Sequence, residues 1–343
     1  MSKTIYYIGA GASYGKRDDG KKITEGIPVV AEIPEQFALF RDCIATTAIP
    51  TDGEMVFQQK YRTTASNIDS ARRDMLYDID QMLNGIQEHA TIDTYARKLY
   101  LTNHYEDFKR LKILLCSFFI WEQLSHKPDG RYDTFLANVL DNKTLNLPKE
   151  ISFISWNYDS QIEIAHSSYS ETVKPVVFEK NLECGWPSLT DNGRVFKVNG
   201  SATFANSEMV SLIKNNDKTP YAIQIIRFYS NCLADTSSMG FQYKTHLSFA
   251  WEKSPNDENM MQSLRETTKD AEQVVVIGYS FPFFNRETDR TIFRGMPNLM
   301  RVYVQDINPD AVIQSLNAVL PAGRKVDIVP VKNCEQFYLP AEL

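Results

Sequence analysis

Ile5-Tyr6-Tyr7-Ile8-Gly9-Ala10-Gly11-Ala12-Ser13, near the start of the chain, is the stretch on which the fold turns. Four apolar residues in a row, bounded by glycine, read as a buried parallel strand. Gly9 and Gly11 carry no Cβ, so the backbone there can turn sharply and bring its N–H groups close to a phosphate. The turn suits a dinucleotide loop, and it also suits a close-packed strand-to-helix connection, because the third glycine of the usual dinucleotide fingerprint is absent. The company it keeps further along favours the first reading.

Working outward, Ile151-Ser152-Phe153-Ile154-Ser155-Trp156 is a second strand-like run, and it leads into Asn157-Tyr158-Asp159 and then a helical pattern. Val195-Phe196-Lys197-Val198 leads into Asn199-Gly200-Ser201, and Gln273-Val274-Val275-Val276-Ile277 into Gly278-Tyr279-Ser280. Met300-Arg301-Val302-Tyr303-Val304 ends in Gln305-Asp306-Ile307-Asn308, and Lys325 to Val329 closes the series. Five strand ends thus deliver small or polar groups. In open α/β sheets ligands bind outside the carboxyl ends of the strands, so the five imply one shared crevice. The expected architecture is a Rossmann-like α/β domain over residues 1–343, with a mainly parallel sheet flanked by helices. A large helical insertion is expected at about 35–148 and a second, irregular one at about 205–270.

Within the helical stretch, Met75, Leu76, Ile79, Met82 and Leu83 fall on one face at steps of three and four, with Arg72, Arg73, Asp74 and Asp78 elsewhere. Between Tyr105 and Leu124 the apolar positions are too dense for one face, which predicts a helix buried on most sides, in the core of a helical module or at a subunit interface. Lys16 to Lys22 reads as a polar, basic loop whose cations are either solvated or set to meet a pyrophosphate.

Composition bounds the function. The chain has 343 residues, 43% hydrophobic and 23% charged, which is a globular balance able to bury a sizeable core. Forty-three acidic residues against 37 basic ones leave a net charge of −6, which argues against non-specific nucleic-acid binding. Strand-like text begins within a few residues of Met1, leaving no room for a cleaved leader, and the apolar run Ile113–Trp121 is too short to span a bilayer. The expectation is a soluble, cytoplasmic chain. Its cysteines, Cys43, Cys116, Cys184, Cys232 and Cys334, are odd in number and include no Cys-x-x-Cys, so neither a zinc ribbon nor a disulfide framework is indicated. Cys116 reads as core. The histidines have no companions at metal-ligand spacing, so no metal site is expected. His166, about two helical turns beyond Asp159, reads as a packing or surface residue.

The motifs Gly9-Ala10-Gly11-Ala12-Ser13, Gly26-Ile27-Pro28, Asn157-Tyr158-Asp159, Gly278-Tyr279-Ser280 and Ile307-Asn308 occur in the order seen in sirtuins. The chain most resembles the sirtuin-like (silent-information-regulator-like) domains of bacterial anti-phage defence proteins, which hydrolyse NAD(+). The likeness runs through essentially the whole length, and the missing paired cysteines set it apart from deacylating sirtuins. The resemblance implies that Gly9, Ala10, Gly11, Ala12 and Ser13 form the pyrophosphate turn and that Ile27 and Pro28 lie in the loop folding over the nucleotide. It also implies that Asn157 and Asp159 face the nicotinamide ribose and amide, Gly278 and Ser280 the phosphate or adenine-side ribose, and Asn308 the adenosine ribose. Where family members carry His-Gly-Ser, this chain has Asn199-Gly200-Ser201. An amide cannot accept a proton near neutral pH, and general-base catalysis is worth about 10² to 10⁴ in rate. Three explanations stay open: a natural variant relying on Asp159, a nucleotide-binding module with little turnover, or a substitution introduced to trap a complex.

Cleaving the ribose–nicotinamide bond passes through a cation-like sugar and releases a neutral pyridine, so oxygen dipoles beside the developing charge can carry much of the catalysis. Asn157 and Asp159, spaced i, i+2 at a strand end, suit that task; capping the following helix is the alternative, and the two roles are not exclusive. Asp289, with Arg286 and Arg290 close by in sequence, reads as a helix cap or a cofactor-side contact. The expected activity is NAD(+) hydrolysis by an abortive-infection effector, with NAD as substrate and no metal. Activation is expected through a separate sensor subunit or homo-oligomerisation. The alternative is a non-catalytic NAD or ADP-ribose-type nucleotide-binding module that signals to a partner.

Overall fold

The computed structural model describes residues 3–49, 67–89, 91–170, 172–179, 193–202, 220–234, 245–252, 257–341 and 343. Seven strands form one parallel sheet: β1 (Thr4–Ile8), β4 (Ile151–Ser155), β5 (Val176–Glu179), β6 (Arg194–Lys197), β7 (Gln273–Ile277), β8 (Arg301–Gln305) and β9 (Asp327–Val331). Their order is β5-β6-β4-β1-β7-β8-β9. The Rossmann-like α/β reading is what the chain adopts. All five residues of β1, β4 and β7 are buried, as strands covered on both faces must be.

Side chains alternate across this sheet with period two. Ile5 and Tyr7 join Ile154, Val274, Val276, Val302 and Val304 on one face, where the helices Asp257–Thr268, Arg286–Arg294 and Pro309–Asn317 supply Leu264, Phe293 and Leu316. Tyr6 and Ile8 join Phe153, Val195, Val275 and Ile277 on the other, covered by the helices Gly130–Val139 and Gln161–His166 through Phe135, Leu136 and Ile162. From β1 the chain builds outward to β4 on one side and later to β7 on the other. That reversal opens the carboxyl edge beside β1, where doubly wound sheets hold their ligands.

Several sequence readings need correction. Lys16 to Lys22 is not a bare loop: β2 (Lys16–Asp18) and β3 (Lys22–Glu25) pair antiparallel. Asp19 and Gly20 both take positive φ, 48° and 73°, as tight hairpin turns require. β5 went unread because four residues after Pro175 are too few to show a period. β9 starts two residues later than expected and contains Pro330, which an edge strand tolerates.

Contacts divide the chain into a sheet unit (1–27, 127–201, 248–343) and a helical unit (28–126, 202–247). The helices Gly130–Val139 and Asp257–Thr268, at the ends of the two stretches read as insertions, group with the sheet. Parts of both stretches, and Cys184, lie outside the described residues. In the helical unit, the helix Tyr105–Ser125 is buried at every position from Ile113 to Ile120, Cys116 included, and packs against the helices Ile68–Gln87, Ile92–Leu101 and Tyr221–Ala234. Asn67 caps the helix Ile68–Gln87 by accepting the Ser70 N–H at 2.8 Å. Asp78 faces inward rather than outward. The Arg110 guanidinium at 2.6 Å and the Tyr229 hydroxyl both donate to it, which makes its burial tolerable. Among the described residues no helix is long and apolar enough to cross a membrane.

Candidate functional site

The Gly9–Ser13 turn is a short 3-10 segment pressed against the end of β7. Gly9 N–H donates to Ile277 O at 3.0 Å and Gly11 N–H to Gly278 O at 3.0 Å. A methyl on Gly11 would lie 2.7 Å from Gly278 Cα, and one on Gly9 2.7 Å from Gly278 O. No other residue permits this crossing. Gly11 and Gly278, 267 positions apart in sequence, therefore meet at the switch point.

Asn157 joins them from β4. Its Nδ2 donates to Gly9 O at 2.9 Å and lies 3.2 Å from Ser13 Oγ, while its own N–H donates to Ser155 Oγ at 3.2 Å. Asn157 therefore ties the turn to β4 and caps no helix. Asp159 does cap: its Oδ1 accepts the Gln161 N–H at 3.0 Å, and its Oδ2 is buried without a hydrogen-bond partner. Asn199, at the end of β6, donates from Nδ2 to Trp156 O at 3.3 Å, and its backbone O accepts the Ser248 N–H at 2.8 Å, while its buried Oδ1 has no partner. Two unpartnered polar oxygens, from Asp159 and Asn199, thus sit at neighbouring strand ends.

Ile27 N–H donates to Ser13 O at 2.8 Å, which fastens the start of its loop to the turn, whereas Pro28 opens the helical unit. Ala10 and Ala12 lie within the turn itself. Ser280 is exposed, two residues beyond the Gly11–Gly278 contact. Phe281 follows, buried at φ 54°, a left-handed conformation that a bulky side chain adopts only under constraint from its surroundings. Asn308 is exposed at the end of β8, its N–H bonded to Asp306 Oδ1 at 2.8 Å. His166 is core, with Nε2 2.8 Å from Leu145 O.

Asp289 is neither a cap nor an exposed contact. It is fully buried, with the Tyr7 hydroxyl and the Tyr279 hydroxyl (3.1 Å) donating to its two oxygens and Asn285 Nδ2 donating to Tyr279 at 3.0 Å. Burial pushes its carboxyl up to about 7, against the hydrogen bonds from Tyr7 and Tyr279 and the Arg286 charge. Tyr279 also stacks on Trp156, with ring centres 5.5 Å apart and planes 4° from parallel.

Three groups escaped the sequence reading. Asp129 accepts the Gly15 N–H at 2.7 Å, and Arg131, paired with it at 2.6 Å, donates to Gly11 O at 2.8 Å and to Cys334 O at 3.2 Å. This pair braces both ends of the glycine turn. Tyr132 shares a hydrogen bond with Ser13 Oγ at 3.1 Å. Lys197, 1% exposed on β6, donates to Asp159 O and pairs with Glu163 Oε1 at 3.1 Å. A lone lysine inside Val195-Phe196-Lys197-Val198 was the signal available for it.

Burial pushes the Asp159 carboxyl above its ordinary range, opposed first by the Lys197 ammonium and then by the Gln161 N–H. For Lys197 burial works downward, but the Glu163 and Asp159 carboxylates outweigh it, so the ammonium stands above its usual value and stays charged. Among the described residues no group of three or more His, Cys, Asp or Glu is placed to hold a metal ion. A comparison with protein-family models finds no match, and a comparison with curated proteins finds none either.

Proposed function

We propose that this chain binds NAD(+) along the carboxyl edge beside β1 and hydrolyses it to nicotinamide and ADP-ribose, as a sirtuin-like effector. The observation that carries the reading is the Asn157 amide, bonded to Gly9 O and set against Ser13 Oγ, because it joins the proposed reactive end to the proposed pyrophosphate turn. The unpartnered oxygens of Asp159 and Asn199 suit a ligand rich in hydroxyl and amide donors. Asp159 supplies negative charge or an amide partner beside a cation-like ribose, and Asn157 holds the turn and strand end in register. Asn199 orients rather than deprotonates, since an amide is no base, so turnover by this chain is slow. As an effector in abortive anti-phage defence, the chain is held inactive until a separate sensor subunit or its own assembly switches it on; a monomer fully active alone would count against that.

The second reading, a nucleotide-binding module that signals without turnover, is favoured by one residue, Asn199. Incubating the protein with a fluorogenic NAD analogue separates the two. We expect slow release by the chain as written, a rise of about 10² or more for Asn199→His, and loss for Asn157→Ala. Turnover indifferent to Asn157→Ala would remove the proposed centre, and NAD binding without turnover in either Asn199 form would leave the signalling module.

A further inference from the structure

We propose that Lys197 is the positioning residue of this site, its ammonium gripping the Asp159 carbonyl and so setting both the placing and the charge of the Asp159 carboxyl. The purpose assigned to that carboxyl rests on the NAD reading; the grip itself does not.

The argument starts from cost. An ammonium 1% exposed has lost its water, and burying an ion pair is seldom better for stability than packing an apolar side chain of the same size. Lys197 points its ammonium at one place, between Asp159 O and Glu163 Oε1. These acceptors bracket the start of the helix Gln161–His166, so one cation ties β6 to the loop that follows β4. Asp159 is then held by Oδ1, through the Gln161 N–H, and offers Oδ2. A carboxyl presented by one oxygen while the other is pinned is the arrangement a reacting or ligand-binding acid needs.

The surrounding charges agree. Glu163 and Asp159 face Lys197 from the loop and helix after β4, and Glu179 faces it from β5. Tyr132, from the helix Gly130–Val139, feels Asp159 as well as the Asp129–Arg131 pair. The Ser13 and Asn157 side chains, like the Gln161 N–H, also favour the ionised form of the Asp159 carboxyl. Lys197 is the charge that opposes the effect of burial on Asp159. Without it, the acid would stand protonated to higher pH.

The test follows the Asp159 carboxyl by NMR in protein labelled at aspartate carboxyl carbons, its signal assigned by its loss in Asp159→Asn. Lys197→Met leaves Glu163 buried without a counter-ion, so Lys197→Met/Glu163→Gln is made alongside it to restore charge balance. The titration midpoint of Asp159 should rise by about 1–3 pH units when Lys197 is removed and return toward its original value in Lys197→Arg. A midpoint that fails to rise from the unaltered chain to folded Lys197→Met, or from Glu163→Gln to Lys197→Met/Glu163→Gln, overturns the role. NAD binding by the unaltered chain is measured separately by calorimetry. Absence of binding there sinks the functional reading while the Lys197–Asp159 coupling still reads out from the titration.

Discussion

At Gly278 the backbone sits at φ 57°, and a methyl would lie 2.4 Å from Gly11 Cα, so no side chain fits without moving one of the two turns. Gly278→Ala therefore combines overpacking with a left-handed alanine. It should lower unfolding free energy by about 2–4 kcal/mol in a denaturant titration and, on the proposed function, weaken NAD binding with it. Gly11→Ala, crowded at 2.7 Å, should fall short of that. A different residue-scale effect belongs to Asp289. Its folded value of about 7 exceeds the unfolded value of 3.8, so the folded state binds the extra proton between those limits. Stability should therefore decline as pH rises from about 4 to about 7, by an amount on the order of a few kcal/mol. Asp289→Asn should flatten that slope, as melting curves taken across the range will show. A slope that survives the substitution would assign it to another group.

Among elements, the Asp129–Arg131 pair shows what holds the glycine turn. Arg131→Ala removes the donor to Gly11 O and leaves Asp129, 2% exposed, without its counter-ion. Breaking a buried pair from one side costs about 3–5 kcal/mol, and the first amide to exchange faster with solvent should be that of Gly15, which Asp129 anchors. In the helical unit Asp78→Ala should cost less, about 1–3 kcal/mol, because the buried Tyr229 hydroxyl loses its acceptor while the half-exposed Arg110 keeps its water; thermal unfolding reads it directly. How legible each element was depended on whether its signal was local. β1, β4, β7 and β8 announce themselves as β-branched or aromatic runs because both faces of the sheet are covered. The helix Ile68–Gln87 announces itself because Met75, Ile79 and Met82 recur on one face. β5 is too short to carry a period, and the ribbon β2–β3 is written in polar residues whose turn, Asp19-Gly20, was its clearest sign. Apart from the Asp129–Arg131 pair itself, two positions apart, the partners of Asp129, Arg131 and Asp78 lie 32 to 203 positions away, and no pattern along a chain encodes such distances.

On the scale of the whole molecule, a ligand that binds the folded chain alone stabilises it by linkage. If NAD is that ligand, as proposed, a concentration about 100 times its dissociation constant should add about 2.7 kcal/mol, seen as a rise in melting temperature that Asn157→Ala abolishes. The amino-acid order by itself determined the parallel sheet, since contiguous apolar runs ending in glycine or polar residues have few other ways to bury themselves. It also placed small and polar groups at the strand ends. Tertiary structure alone decided the strand order, and with it that Gly11 meets Gly278 while Asn157 reaches Gly9. It decided too that Lys197 lies buried against Asp159, because the cost of burying a charge is offset only by partners that folding brings from elsewhere in the chain.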